Sequence, residues 1–112
     1  MKLAVIGSRN LKLDISPYIP VYCKTIISGG AAGIDRCAAK YAHENGLELI
    51  EILPDYDSYG KLAPLQRNNE IIDLADSVIA IWDGKSRGTK YVIDQCASKH
   101  KHVQIIYMAQ RF

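Results

Sequence analysis

Residues 24–35 read KTIISGGAAGID, a short apolar run followed by a glycine-rich turn and the start of a helical pattern. Aliphatic side chains that do not alternate with polar ones predict a strand that is covered on both faces of its sheet. Ile34, Cys37 and Ala38 recur at the spacing of one helical face. The stretch therefore predicts a buried strand, Lys24–Ser28, which a tight turn joins to an amphipathic helix.

The same alternation of apolar runs and helical periods continues along the whole chain. Further strands are predicted at Lys2–Ile6, Glu48–Leu53, Ser77–Trp82 and Val103–Tyr107. Helices are predicted from Ile34 to a left-handed cap at Gly46, at Pro64–Leu74 and at Thr89–Lys99. A weak helix or turn is predicted around Asp14–Tyr18, and a surface loop at Asp55–Leu62.

Strands that alternate with helices predict an α/β fold with a mainly parallel sheet and helices on both faces. We expect one Rossmann-like, three-layer domain that covers residues 1–112. Right-handed crossovers place every strand-to-helix loop at the carboxyl edge of such a sheet. The strand order 3-2-1-4-5 is predicted because it puts the first and fourth strands side by side, so that their glycine-rich loops flank one crevice.

The composition is that of an ordinary globular protein, with 48% apolar and 23% charged residues and a formal charge of +2. Cys23, Cys37 and Cys96 include no C-x-x-C pair, and no histidine stands at ligand spacing. These features predict reduced thiols in a cytoplasmic protein and no metal site. The opening apolar run is too short for a signal peptide or a membrane span, so no membrane partner is expected.

Three loops at the predicted carboxyl edge are rich in glycine and hydroxyl residues. They are Gly7-Ser8-Arg9, Ser28–Gly33 followed by Asp35, and Asp83–Thr89. Glycines before a helix let backbone N–H groups approach an anion, and the helix dipole favours negative charge there. These loops predict a phosphate cradle, although each glycine could serve only its own turn. Neither G-x-G-x-x-G nor the Walker pattern occurs, so no cofactor is predicted.

The helix at Pro64–Leu74 carries a further pair of candidate residues. Asn68 falls on the inward stripe, where a buried amide needs a partner. Arg67 is expected at the exposed rim, so that Arg67→Ala should weaken ligand binding and hardly change folding stability. The alternative is that both residues are purely structural. Tyr56 and Tyr59 are candidates for stacking on a base, whereas Trp82 is expected in the core.

In their order and spacing, the loops and Arg67-Asn68 resemble the SLOG superfamily, and most closely its short, stand-alone YspA-like members. The superfamily includes the DprA/Smf DNA-processing proteins and the LOG phosphoribohydrolases, which are also called lysine-decarboxylase-like proteins. The resemblance runs from Lys2 to about Val103 and implies a Rossmann-like pocket for nucleotides or nucleotide-derived ligands. The residues assigned to ligand or phosphate binding are Gly7, Ser8, Arg9, Ser28, Gly29, Gly30, Gly33, Asp35, Arg67, Asn68, Asp83, Gly84, Ser86, Gly88 and Thr89.

The chain departs from the LOG pattern at one position that matters for catalysis. LOG enzymes carry a catalytic Glu three residues after the Thr that corresponds to Thr89, and this chain has Val92 there. Without a carboxylate in that slot, we expect negligible release of free base from adenosine monophosphate. Asp94 lies two residues further on and is not an obvious substitute. No catalytic residue is assigned.

Three functions stay open at this point. The leading one is binding or sensing of a nucleotide or nucleotide-derived small molecule. The alternatives are a LOG-like N-glycosidase, for which Asp35, Asp83 and Asp94 are the nearest carboxylates, and a DprA-like single-stranded nucleic-acid binder. A homodimer and a separate partner protein are both compatible with the sequence.

Overall fold

The computed structural model describes residues 1–109 and contains one five-stranded, all-parallel sheet. The strands are β1 (Lys2–Gly7), β2 (Thr25–Ser28), β3 (Glu48–Glu51), β4 (Ser77–Trp82) and β5 (Val103–Tyr107). The helices are α1 (Ile34–Glu44), α2 (Tyr56–Tyr59), α3 (Ala63–Leu74) and α4 (Arg87–Ser98), with short 3-10 turns at Ser16–Tyr18 and Gly60–Leu62. The order β3-β2-β1-β4-β5 confirms the predicted topology.

The core lies on both faces of the sheet, because successive side chains of a strand point to opposite sides. In β1, Leu3 and Val5 pack toward α1, whereas Ala4 and Ile6 pack toward α3 and α4. The central strands are covered by helices on both faces of the sheet, and for this reason their sequences are apolar throughout. The three-layer arrangement expected from the sequence is therefore confirmed.

The helix α1 ends at the predicted left-handed glycine. Gly46 has φ of 65°, and its N–H donates to His43 O at 3.4 Å while Leu47 N donates to Ala42 O at 2.9 Å. This pair of bonds satisfies carbonyl groups that the end of a helix leaves without partners. The chain can then reverse into β3.

The sequence interpretation is wrong at Asp55–Leu62, which is not an irregular loop. The segment is exposed, as expected, but it forms α2 and a 3-10 turn. Asp55 starts α2 by accepting a hydrogen bond from Ser58 N at 3.1 Å. Other elements differ from prediction only at their ends; β3, for example, stops at Glu51 instead of Leu53. No helix within residues 1–109 is long and apolar enough to cross a membrane.

Candidate functional site

A cleft of about 370 Å³ opens at the carboxyl edge of the sheet, between the loops that follow β1 and β4. These two strands are neighbours, with Gly7 paired to Ile81 at their ends. The cleft therefore lies at the point where the chain turns from one half of the sheet to the other, as predicted. Its lining residues are Ile6, Gly7, Arg9, Asn10, Ala31, Asp35, Arg67, Asn68, Ser86, Gly88 and Thr89.

Ser8 ties the two central loops together from beneath the cleft. It is buried, its N–H donates to Ile81 O at 3.1 Å, and its hydroxyl accepts from Asp83 N at 3.3 Å. The side chain is thus fully engaged within the protein. Ser8 sets the spacing between the loops and does not line the cleft.

The loop that follows β4 is shaped by its first residue. The Asp83 carboxylate accepts hydrogen bonds from Lys85 N at 2.8 Å and Ser86 N at 2.7 Å. These N–H groups, of Ser86 first and Lys85 second, lower the pKa of Asp83 because they stabilise its charged form. Asp83 therefore folds the loop around itself and delivers Ser86 to the start of α4.

Stability should fall on acidification in a way that depends on Asp83. A carboxyl group whose pKa is lowered by folding stabilises the native state above its unfolded pKa and loses that contribution as the pH falls through its folded pKa. Asp83→Asn keeps an oxygen acceptor for both N–H groups and cannot titrate. We expect the variant to melt below the wild type at neutral pH, with the gap closing below about pH 4, where free Asp titrates. Melting curves across pH test this, and a gap that stays constant down to low pH would contradict it.

The N-terminus of α4 presents free hydrogen-bond donors to the cleft. Ser86 caps the helix by accepting from Thr89 N at 3.4 Å, and its hydroxyl lies 3.2 Å from that of Thr89. Within residues 1–109, the N–H groups of Arg87 and Gly88 have no acceptor. A Cβ built on Gly88 would meet no heavy atom within 4 Å, so the backbone here is bare. This geometry suits an anion.

Two glycines after β2 serve the loop and not the cleft. Gly29 is covered by Arg67, whose Nη1 would lie 2.6 Å from a Cβ on that glycine. Gly33 is pressed against the backbone of the loop after β1, with Ser8 O only 2.6 Å from where its Cβ would be. The glycine-rich turn is therefore a close-packing device that brings neighbouring segments together.

The Arg67 guanidinium is buried, and the expected exposed position at the rim is wrong. The residue is only 8% exposed. Its Nη1 donates to Gly29 O at 2.7 Å and to Ile52 O at 3.4 Å, and its Nε donates to Asn68 Oδ1 at 2.8 Å. Burial lowers the pKa of Arg67, and the nearby Asp35 opposes that effect. Arg67 still lines the cleft, but it is also a structural link between α3, β3 and the loop after β2.

Asn68 satisfies the expectation that a core-facing amide has a partner. Because Arg67 donates to its Oδ1, the orientation of the amide is fixed and Nδ2 is the remaining donor. That nitrogen has no acceptor among residues 1–109, and Asn68 lines the cleft. The Nδ2 amide group of Asn68 thus has two hydrogen-bond donors for a ligand.

Asp35 is the carboxylate of the cleft. Burial raises its pKa, while the hydrogen bond from Ala31 N at 3.1 Å and the charges of Arg67 and Arg9 act in the opposite direction. Ser28 supports the same turn, since its hydroxyl lies 3.4 Å from Asp35 O. Through these hydrogen bonds Asp35 holds the loop after β2 in place, and its carboxyl group also lines the cleft.

The structure divides the predicted binding residues into two groups. Eight line the cleft, namely Gly7, Arg9, Asp35, Arg67, Asn68, Ser86, Gly88 and Thr89. Seven do not line it, namely Ser8, Ser28, Gly29, Gly30, Gly33, Asp83 and Gly84. Sequence reasoning missed Ile6, Asn10 and Ala31, each next to or inside a stretch that had been singled out. Asn10 directly follows Arg9, and its polarity was the available signal.

Comparison with family models, with curated proteins and with solved structures finds no match to this chain. Within residues 1–109, no group of three or more metal-ligating side chains comes together. The site must therefore be interpreted from its own geometry.

Proposed function

We propose that the cleft binds a phosphate-bearing nucleotide or a nucleotide-derived small molecule. The observation that carries the proposal is the convergence of three sets of donors on one cleft. These are the free N–H groups at the start of α4, the exposed guanidinium of Arg9 and the fixed amide of Asn68. Together they supply a dipole, a charge and a directed hydrogen bond, which is what a phosphate ester with a sugar requires.

Arg9 is well suited to hold the anion. It is exposed, and its guanidinium makes no hydrogen bond or ion pair within residues 1–109. Arg67 contributes positive charge behind it, but its Nε and Nη1 already donate within the protein, so that only Nη2 has no partner within residues 1–109. In this division of roles, Arg9 binds the phosphate directly, whereas Arg67 holds the wall of the cleft in place. The resemblance to the SLOG superfamily favours the same class of ligand.

The structure gives less support to cleavage of an N-glycosidic bond. Val92, at the position of the LOG catalytic Glu, is buried in the core against α3. Asp94 is exposed and paired with Lys90 at 2.8 Å. Asp83 is engaged by its own loop, which leaves Asp35 as the carboxyl group on the cleft. Negligible release of free base from adenosine monophosphate stays our prediction.

Gly88→Glu tests the proposal, because it should change ligand binding and folding in opposite directions. A carboxylate in the first turn of α4 favours the helix by about 0.3–1 kcal/mol. The same carboxylate stands where the ligand phosphate would lie, so the affinity should fall at least about tenfold. The measurement is titration calorimetry after a thermal-shift screen of inorganic phosphate, nucleoside mono- and diphosphates, a dinucleotide and a single-stranded oligonucleotide. A saturating ligand at a hundred times its Kd adds about 2.7 kcal/mol to stability.

Arg87→Gln is the matched control, since it makes the same change of one unit of charge in the same helical turn. The Arg87 side chain is exposed and does not line the cleft, and the variant keeps the backbone N–H, so the replacement should leave affinity nearly unchanged. No stabilisation by any probe, or equal losses in the two variants, would contradict the proposal. Selective binding of the oligonucleotide with a steep salt dependence would favour the nucleic-acid alternative instead.

A further inference from the structure

We propose that two copies of this chain associate by antiparallel pairing of their β5 strands, about a twofold axis that passes midway between the two copies of Ile105. Among residues 1–109, the strand β5 lies at the edge of the sheet and pairs only with β4. Pairing two such edges would join two five-stranded sheets into one continuous sheet. This inference does not depend on the ligand of the cleft.

The outer side of β5 presents a regular row of backbone groups that have no partner in the part of the chain that the structure describes. On the inner side, His102 O accepts from Val78 N at 3.0 Å, and Met108 N donates to Trp82 O at 2.8 Å. Because backbone groups of successive residues in a strand point to alternate sides, the N–H and C=O groups of Val103, Ile105 and Tyr107 point away from β4. Antiparallel pairing centred on Ile105 uses all of these groups, with each opposed pair exchanging two hydrogen bonds.

The side chains of these same residues also match in that register. Val103, Ile105 and Tyr107 share one face of the sheet, with Ile105 49% and Tyr107 65% exposed. Centred pairing places Ile105 opposite its own copy and Tyr107 opposite Val103 of the second copy. Aromatic and β-branched residues are favourable cross-strand neighbours. Exposed apolar surface on both copies would thereby be removed from water.

The two edges of the sheet, β5 and β3, differ in charge, and this difference favours a second copy of the chain as the partner of β5. The strand β5 carries no charged residue, and the centred register sets Lys101 opposite Ala109, so no like charges are directly opposed between positions 101 and 109. At the other edge, β3 begins with Glu48 and ends with Glu51. Charged edges resist association. One permissive edge per copy gives a closed dimer and no filament.

The geometry leaves both clefts open. Antiparallel β5 strands direct the carboxyl edges of the two sheets toward opposite ends of the dimer. Each cleft follows β1 and β4 at its own carboxyl edge, away from the shared strand. Loss of dimerisation is therefore expected to leave ligand binding intact, and loss of ligand binding to leave the dimer intact.

Sedimentation velocity over a dilution series tests the interface in the full chain. The wild type is expected to sediment as a dimer that dissociates on dilution. Ile105→Lys places two ammonium groups against each other on the axis, and we expect at least a tenfold, that is ~1.4 kcal/mol, weakening of the dimer. Glu51→Lys introduces the same residue at the exposed opposite edge and should leave the dimer unchanged. A monomeric wild type, or an Ile105→Lys variant that dimerises as well as the wild type, would overturn the proposal.

Disulfide trapping keeps the test decisive if the lysine variant misfolds. In a Cys37→Ser background, Ile105→Cys brings two cysteines together on the axis, where opposed Cα atoms about 5.5 Å apart suit a disulfide. Gln104→Cys is the matched control. It is also exposed and adjacent, but it is offset from its own copy by two positions, beyond the reach of a disulfide. Selective crosslinking at position 105 supports the interface, and equal or absent crosslinking at both positions overturns it.

Discussion

Arg67→Ala is expected to destabilise the fold by about 3 kcal/mol or more, because two of the lost hydrogen bonds are short and each bond to a charged group contributes about 1.5–3 kcal/mol. The guanidinium is the donor for Gly29 O and for Asn68 Oδ1, and it also reaches Ile52 O. Removing it leaves the buried Gly29 O and Asn68 Oδ1, and the partly buried Ile52 O, without this donor. For a domain of this size, the melting temperature should fall by roughly 10 °C.

The measurement is thermal unfolding without ligand, with Arg36→Ala as the control. Arg36 is an exposed arginine in the first turn of α1, and its removal should change stability by no more than about 0.5 kcal/mol. A melting temperature for Arg67→Ala that matches that of the control would show that the buried bonds contribute little. Affinity alone would not separate the two roles of Arg67, because collapse of the cleft wall also weakens binding.

Arg67→Lys refines the same experiment. Lysine keeps the positive charge near Asp35 but cannot make the divided set of bonds that the planar guanidinium makes. If electrostatic attraction to Asp35 were the main contribution, the lysine variant would recover most of the stability. We expect it to recover little, since the carbonyl acceptors of Gly29 and Ile52 lie on different segments.

The fold was predictable from sequence because its signals agree at every level. Apolar runs such as Ser77–Trp82 are too short and too continuous for anything but covered strands, and glycine-rich turns follow the two strands that meet at the crevice. The strand order followed from placing the first and fourth strands side by side, so that those turns flank one crevice. That placement is topological, so it did not depend on side-chain detail.

The role of Arg67 could not be read in the same way, since a helical position does not reveal how a long side chain packs. The spacing did place Arg67 on an apolar face, because Ala63, Arg67 and Ile71 recur every four residues. The structure shows that all three are buried. An arginine within such a stripe is usually interpreted as a rim residue whose stem packs and whose head reaches water. Here the head meets carbonyl groups of two other segments, and those partners are distant in sequence.

The glycines after β2 show a related limit of sequence analysis. Their spacing before a helix predicted contact with phosphate, but a glycine also permits one segment of backbone to approach another. Sequence does not distinguish a ligand from a second backbone as the close neighbour. At Gly33 the neighbour is the loop after β1, whose backbone at Ser8 and Arg9 would collide with a Cβ.

Gly33→Ala is therefore expected to be among the most damaging substitutions in the chain. The residue has φ of 72° and ψ of −125°, which lies outside the left-handed helical region, and such a sparsely populated conformation costs a residue with a Cβ about 1–3 kcal/mol. The added methyl group would also lie 2.6 Å from Ser8 O and closer still to Arg9 O, and such overpacking typically costs a further 1–3 kcal/mol, for a total of about 3 kcal/mol.

Gly46→Ala is the control for a glycine of positive φ that has no close neighbour. Gly46 has nearly the same φ, 65°, but no heavy atom lies within 4 Å of its Cβ position. Its variant should show the backbone strain alone, about 1–2 kcal/mol. The excess loss in Gly33→Ala then reports the approach of the two loops together with the more restricted backbone conformation of Gly33, and equal losses would contradict the prediction. Because the displaced backbone carries Arg9 to the cleft, only the Gly33 variant should also bind the phosphate-bearing probe more weakly.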